Sequence, residues 1–204
     1  LIEVDKKDER QAPREALELG LKEADRLLAT FNALLSIARL EAGAMRDNLA
    51  PIELEDVARD VAELYGPVAE DRHVQLAVEV ARELKIVANR ELIVQALSNL
   101  VDNALKYSPE GGRVVIGAAR APARRGRRAA IDLLVTDQGP GIAPEDRPRV
   151  TQRFVRLDRG CGAPGNGLGL SLVSAIASLH EATLSLEDGE GGLGLTVRLR
   201  FDAA

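Results

Sequence analysis

The hydrophobic pattern of this chain changes period at Pro51, and that change limits the folds open to it. From Arg14 to Met45 there is no proline, and Leu17, Leu21, Ala24, Leu28, Phe31, Leu35, Ala38, Ala42 and Met45 recur alternately four and three apart. That spacing is a heptad stripe on one long helix. Glu15, Glu18, Lys22, Glu23, Asp25 and Arg26 fill the other faces, as on a helix wetted on one side. The stripe needs a partner. It can dock on its own domain, or it can belong to an antiparallel hairpin in a dimeric bundle whose other helix lies ahead of Leu1. Gly43, Asn48 and Pro51 then end the helix and supply a hinge.

Beyond Pro51 helical segments alternate with short β-branched runs. Ile52 to Glu70 is expected to be a helix interrupted near Gly66 and Pro67, and Val74 to Val80 alternates with period two like a strand. Ile86 to Ala88 leads into a helix whose N-cap is Asn89. Further strands are expected at Val114–Ala119, Ile131–Thr136, Thr183–Glu187 and Leu195–Phe201, with turns at Pro109–Gly112 and Gly189–Gly192. The class this implies is α+β, a two-layer α/β sandwich with helices on one face of a sheet, preceded by a long amphipathic helix.

At 204 residues and 46% hydrophobic content the chain can bury one core plus an appended element. Its net charge of -5 is spread over a mixed-sign sequence, which argues against a nucleic-acid binder. The basic run Arg120 to Arg128 fits a solvated hairpin loop. The single cysteine, Cys161, has no internal disulfide partner, which suits a reducing compartment. No apolar run reaches the ~18 residues that span a bilayer. The expectation is a soluble, cytoplasmic piece of a longer protein, any membrane segment lying outside it.

Three constellations carry chemistry. In the helix Asn89 to Tyr107, Ile93, Leu97, Leu100, Val101, Ala104 and Leu105 share the side that should meet the sheet, and Gln95, Asn99, Asn103 and Lys106 share the opposite one. A polar face is usually only solvated. Asparagine is nevertheless a poor helix-interior residue, and two amide oxygens a turn apart can ligate Mg²⁺ while a lysine meets phosphate. Next, Asp137-Gln138-Gly139-Pro140-Gly141-Ile142 follows an apolar strand and sets a carboxylate, an acceptor for an exocyclic amine, at a sheet edge. Taken alone this is also an ordinary turn. Last, Gly165-Asn166-Gly167-Leu168-Gly169-Leu170 opens an apolar helix, where exposed N–H groups and the helix dipole attract anions. Asp158 to Pro164 ahead of it reads as a mobile lid.

Asn99 to Ser108, Asp137 to Ile142, Arg153-Phe154-Val155-Arg156 and Gly165 to Leu170, in this order, resemble the N, G1, F and G2 boxes of sensor histidine kinases. That superfamily also holds DNA gyrase, Hsp90 and MutL. The helix ending Ala38-Arg39-Leu40-Glu41-Ala42-Gly43 resembles the second helix of the family's dimerisation hairpin. The resemblance implies a Bergerat-type ATP-binding fold over residues 49–204 and a partial dimerisation and phosphotransfer helix over 1–48. It implies that Asn99 and Asn103 hold Mg²⁺ on the ATP phosphates, with Lys106 near the phosphates and Tyr107 beside the nucleotide. Asp137 would bind the adenine amine, and Gly139 and Gly141 would shape its pocket. Gly165, Gly167 and Gly169, with the backbone of Leu168 and Leu170, would receive the phosphates, and Phe154 would anchor the lid. The implied partners are ATP, a response regulator receiver domain and a dimerisation helix of the same or a second copy.

Two departures stand out. The F box commonly carries a second aromatic where Thr151 stands, so looser lid packing is expected. The family also phosphorylates a histidine followed by an acid, and His73 and His180 fit instead as structural histidines. The chain is expected to bind ATP without labelling itself, and no residue of it is assigned as the acceptor. Three alternatives are weighed against a kinase. A gyrase-type ATPase would need a water-activating glutamate where Asn99 stands. An anti-sigma-factor serine kinase would not be expected to carry the heptad helix, and a nucleotide-binding adaptor would not need four intact boxes, although the absent acceptor histidine keeps the adaptor open as an alternative.

Overall fold

The computed structural model describes residues 8–41, 48–122, 129–157 and 166–202, with first-helix side chains at 20, 21, 23, 24, 27, 28 and 30–40. Twelve elements follow in chain order: α1 (Asp8–Glu41), β1 (Ala50–Glu53), α2 (Leu54–Asp71), β2 (Gln75–Val80), β3 (Lys85–Ala88), α3 (Arg90–Tyr107), β4 (Arg113–Arg120), β5 (Ala130–Thr136), α4 (Arg147–Val150), α5 (Gly169–Leu179), β6 (Thr183–Asp188) and β7 (Leu195–Asp202). Five strands form one sheet in the order β2-β4-β5-β7-β6, in which only β2 and β4 run parallel. Alternation sets its two faces. Val114, Ile116 and Ala118, Ile131, Leu133 and Val135, and Val197, Leu199 and Phe201 are buried beneath the helices. The other face carries the intervening residues, among them Asp132, Arg198 and Arg200, which pair at 2.7–3.0 Å.

The helices α2, α3 and α5 bury their apolar stripes in the same core. From α3 these are Leu92, Ile93, Ala96, Leu97, Leu100, Val101, Ala104 and Leu105, so the expected division of that helix into an apolar and a polar face holds. Asn89 caps α3 as expected, its Oδ1 accepting from the Leu92 N–H at 3.2 Å.

Two local expectations fail. The segment expected as one helix from Ile52 begins as strand β1, which pairs antiparallel with β3 as a separate two-stranded sheet, Ile52 opposite Ile86. The following helix runs through Gly66 and Pro67 without a break, because Leu54, Val57, Ala58, Val61 and Ala69 are buried on both sides of them. Core packing on either side outweighs the local cost of a proline.

The first helix docks on the domain, but not through its heptad stripe. Ile37 and Leu40 are buried and Ala33 and Leu34 partly buried against the core, next to α5. Leu21, Leu28, Phe31 and Leu35 of the stripe stay 40–59% exposed. No helix among the described residues is long and apolar enough to cross a membrane. Gly43, the end of the stripe at Ala42 and Met45, the stretch Asp158 to Gly165 with Cys161, and most of the basic run lie outside the described residues.

Candidate functional site

The polar face of α3 meets the entrance of α5. A Cβ added to Gly169, the first residue of α5, would lie 3.3 Å from Asn103 Nδ2 and 3.4 Å from Asn99 Oδ1. Glycine there brings two helix-borne amides against a helix N-terminus, where any side chain would crowd them. Asn99 Nδ2 donates to the Gln95 carbonyl at 2.8 Å, which fixes the amide with its oxygen toward the α5 entrance. An oxygen so presented, with the Asn103 amide one turn on, suits a hard cation held jointly with phosphate oxygens. No cluster of three or more His, Cys, Asp or Glu able to hold a metal occurs among the described residues. A cation here would therefore lean on amide and ligand oxygens.

Lys106 and Tyr107 end the same helix, with the ammonium 5.3 Å from the centre of the Tyr107 ring. Tyr107 is 42% exposed, and its carbonyl would lie 2.8 Å from a Cβ added to Gly139. Close approach at a glycine thus joins the end of α3 to the loop after β5. Asp137 stands at the start of that loop, 8% exposed. Its Oδ1 accepts from the Gly139 N–H at 2.8 Å and the Leu195 N–H at 3.2 Å. Burial pushes the carboxyl pKa up, and the two backbone donors pull it down less strongly.

The sequence reading missed what supports Asp137. Gly194 lies at φ +76, where an added Cβ would stand 1.8 Å from the Asp137 carbonyl, and one added to Gly189 would stand 3.1 Å from the same oxygen. A Cβ added to Gly141, at φ +66, would in turn stand 2.7 Å from the Gly194 carbonyl. The β6–β7 turn, expected only as a turn, is therefore the floor under the acidic loop. A glycine two residues past the expected turn, directly before a strand, is the signal that pointed to it. Arg147 ties the far end of the loop down, donating to the carbonyls of Ile142 at 3.0 Å and Leu186 at 3.3 Å and pairing with Asp188.

Phe154 and the glycine loop also meet. The Phe154 N–H donates to the Gly167 carbonyl at 3.0 Å, and both residues have positive φ, +63 and +68. The Phe154 side chain is 58% exposed and Leu168 is buried, with Leu170 partly buried against the core. Thr151 donates to the Pro148 carbonyl and lines a cleft of about 610 Å³ shared with Ile37, Leu40, Ser171, Ser174 and Leu179. That cleft lies against α1, away from Asp137. Asn166 bonds to Thr30 of α1 at 3.1 Å, so the first helix touches the loop directly. Of the expected site residues, Gly165 alone lies outside the described residues.

His73 and His180 occupy places that suit structure. His73 sits in the turn before β2 at φ +54, exposed, 3.9 Å from Glu110. His180 is half-buried with both ring nitrogens engaged, and burial holds its pKa below the usual histidine range.

Comparisons with known proteins agree with the fold. The sequence model of the histidine kinase-, DNA gyrase B- and HSP90-like ATPases matches residues 88–204. The chain is 33% identical over 198 residues to the sensor-like histidine kinase SenX3 of Mycobacterium tuberculosis, covering 96% of this chain and 47% of that protein. It is 32% identical over 179 residues to the sensor protein kinase PmrB of Pseudomonas aeruginosa, covering 87% of this chain and 36% of that one. The chain thus spans about half or less of the relatives it matches. Among solved structures, full-length ShkA in complex with AMPPNP aligns with a TM-score of 0.77 at 33% identity, over 94% of this chain and 39% of ShkA.

Proposed function

The chain belongs to the family of histidine kinase-, DNA gyrase B- and HSP90-like ATPases, and from that premise we propose that it is the ATP-binding catalytic part of a two-component sensor histidine kinase. In this reading it binds Mg-ATP and delivers the γ-phosphoryl group to a histidine on a dimerisation helix, for relay to a response regulator aspartate. The observation that carries the proposal is the meeting of the Asn99 and Asn103 amides with the glycine entrance of α5, with Asp137 beside the end of the same α3 helix. Relatives named as sensor kinases and an aligned structure holding an ATP analogue support it.

The residues divide the work. Asp137 accepts the adenine amine, its Oδ1 already oriented by two backbone N–H groups. Gly139 and Gly141 keep that pocket open for a planar base. Gly167, Leu168, Gly169 and Leu170 offer backbone N–H groups at the positive end of α5 to the phosphates. Lys106 adds a positive charge at the α3 end, over the Tyr107 ring. Asn99 and Asn103 would hold Mg²⁺, whose charge, when it is bound, neutralises the phosphate oxygens. Positioning and charge neutralisation suffice, since phosphoryl transfer asks little covalent help of the protein.

Neither histidine of this sequence suits the role of acceptor. An imidazole attacks phosphorus through a free ring nitrogen, and both nitrogens of His180 are occupied, while His73 is held in a tight turn on a different segment. Calorimetry tests the first step. Binding of ATP that strengthens with Mg²⁺ is expected, and no heat with or without the metal would defeat the proposal. Adding a helix that carries the family's histidine, in cis or in trans, is then expected to yield a protein labelled from ATP.

A further inference from the structure

The far ends of α3 and α5 are fastened by one imidazole, and nothing in the proposed chemistry uses it. His180 follows the last residue of α5, and its Nε2 accepts the Asn89 N–H at 3.0 Å. Asn89 is 4% exposed and is the N-cap of α3. Its side chain caps Leu92 and its carbonyl accepts from Ile93, so the imidazole takes the group those two contacts leave over. His180 Nδ1 lies 2.8 Å from the Ile176 carbonyl, which has no hydrogen to give, so Nδ1 carries the proton. Nε2 is then a lone-pair acceptor. The Phe201 ring closes the site edge-on, with centroids 6.5 Å apart.

The two helices run antiparallel, with both ends of α5 seated against α3. His180 meets the start of α3, and Gly169 meets its middle at Asn99 and Asn103. Asn99 and Asn103 lie ten and fourteen residues beyond Asn89, and His180 lies eleven beyond Gly169. At ~1.5 Å per residue the two asparagines lie about 15 and 21 Å along α3, on either side of the ~17 Å that α5 spans. The spans match, so a fastening at one end sets the register at the other.

We propose that His180 is a positioning residue for the nucleotide site: by pinning the C-terminus of α5 to the N-cap of α3, it sets the phosphate loop against Asn99 and Asn103. This rests on the ATP-binding reading and adds to it a residue on the far side of the helix pair. Sliding of α5 along α3 would move Gly167, Leu168 and Gly169 away from the amides. Asp137 reaches the adenine from β5 and is held by Gly139 and Leu195, so it would stay in place. Loss of the pin should therefore cost affinity for the triphosphate and spare the adenosine part.

The test compares ATP with Mg²⁺ and adenosine on the whole chain as wild type, His180→Ala, His180→Phe and His180→Gln. Phenylalanine keeps the ring volume against Phe201 but offers no acceptor. Glutamine returns an acceptor oxygen near the Nε2 position. Alanine and phenylalanine are expected to weaken ATP binding by at least about fivefold, the scale of one lost internal hydrogen bond, with adenosine within about twofold of wild type. Glutamine should restore ATP binding to within about twofold. Parallel loss of both ligands, or no loss of either, would overturn the assignment. The wild-type ring gives a readout that needs no variant and no nucleotide: nitrogen NMR at neutral pH must show Nδ1 protonated and Nε2 bare. A proton on Nε2 would refute the pin even if ATP binds well. A wild-type chain with the expected tautomer that binds no ATP would instead sink the nucleotide reading and the positioning role built on it, leaving the helix pin as structure only.

Discussion

Replacing Asp137 with asparagine isolates the proposed adenine contact from the fold around it. The wild-type carboxylate is 8% exposed and gives one oxygen, Oδ1, to two backbone donors at 2.8 and 3.2 Å. Asparagine keeps an oxygen in that place, so the loop stays anchored and a buried charge is removed. The melting temperature is expected to hold or rise. The other terminal atom becomes an NH₂ group, which would face the amine of adenine donor to donor. A hydrogen bond to a charged group contributes about 1.5–3 kcal/mol. At about 1.4 kcal/mol per decade, Asp137→Asn should weaken ATP and ADP alike by about 10- to 100-fold. Calorimetry with both nucleotides, alongside thermal melting, reads the two effects separately. A variant that melts like wild type and binds within about threefold of it would show that Asp137 does not hold the base. The pH dependence gives a second check with a definite sign. Burial raises this carboxyl's pKa in the folded protein. Through this group alone, stability is full below the unfolded value of ~3.9 and is lost as pH rises through the raised folded value. Nucleotide binding has the opposite trend, because protonation removes an acceptor. Affinity should fall on acidification already above pH ~4, and the Asp137→Asn chain should lack that slope.

Three further outcomes follow from particular contacts. Gly194→Ala would set a methyl group 1.8 Å from the Asp137 carbonyl at φ +76, and chemical denaturation should show a loss of about 3 kcal/mol or more, with nucleotide binding lost too. Gly169→Ala, with only 3.3–3.4 Å to the two amides and a helical φ, should keep its melting point within a few degrees while losing Mg²⁺-dependent ATP affinity; equal loss of adenosine binding would contradict this. On the outer sheet face, burial raises the Asp132 pKa, but Arg200 and Arg198 more than offset it, and Arg198 lowers that of Glu187. These depressed groups contribute stability above their unfolded values near pH 4 that is lost as pH falls through the folded ones, so melting should drop in acid and the Asp132→Asn, Glu187→Gln double variant should flatten the drop.

The parts of this protein that a linear reading reached are those fixed within a few residues. The apolar and polar faces of α3, the Asn89 cap and the glycines at the mouth of α5 each follow from spacing or from what glycine and asparagine allow the backbone to do. Four short boxes in order named the family because each is local and contiguous. Tertiary structure decided whatever depends on a partner far along the chain. It fixed which face of α1 docks, leaving Leu21, Leu28, Phe31 and Leu35 exposed while Ile37 and Leu40 are buried. It carried α2 through Pro67, withdrew β1 and β3 into their own small sheet, and set Gly194 beneath Asp137 and His180 against Asn89. The physical reason is the same in each case. Local propensities differ by only about 1 kcal/mol per residue, and by ~3 for a helical proline, so burial against several distant side chains overrides them, and only the assembled core determines which distant groups become neighbours.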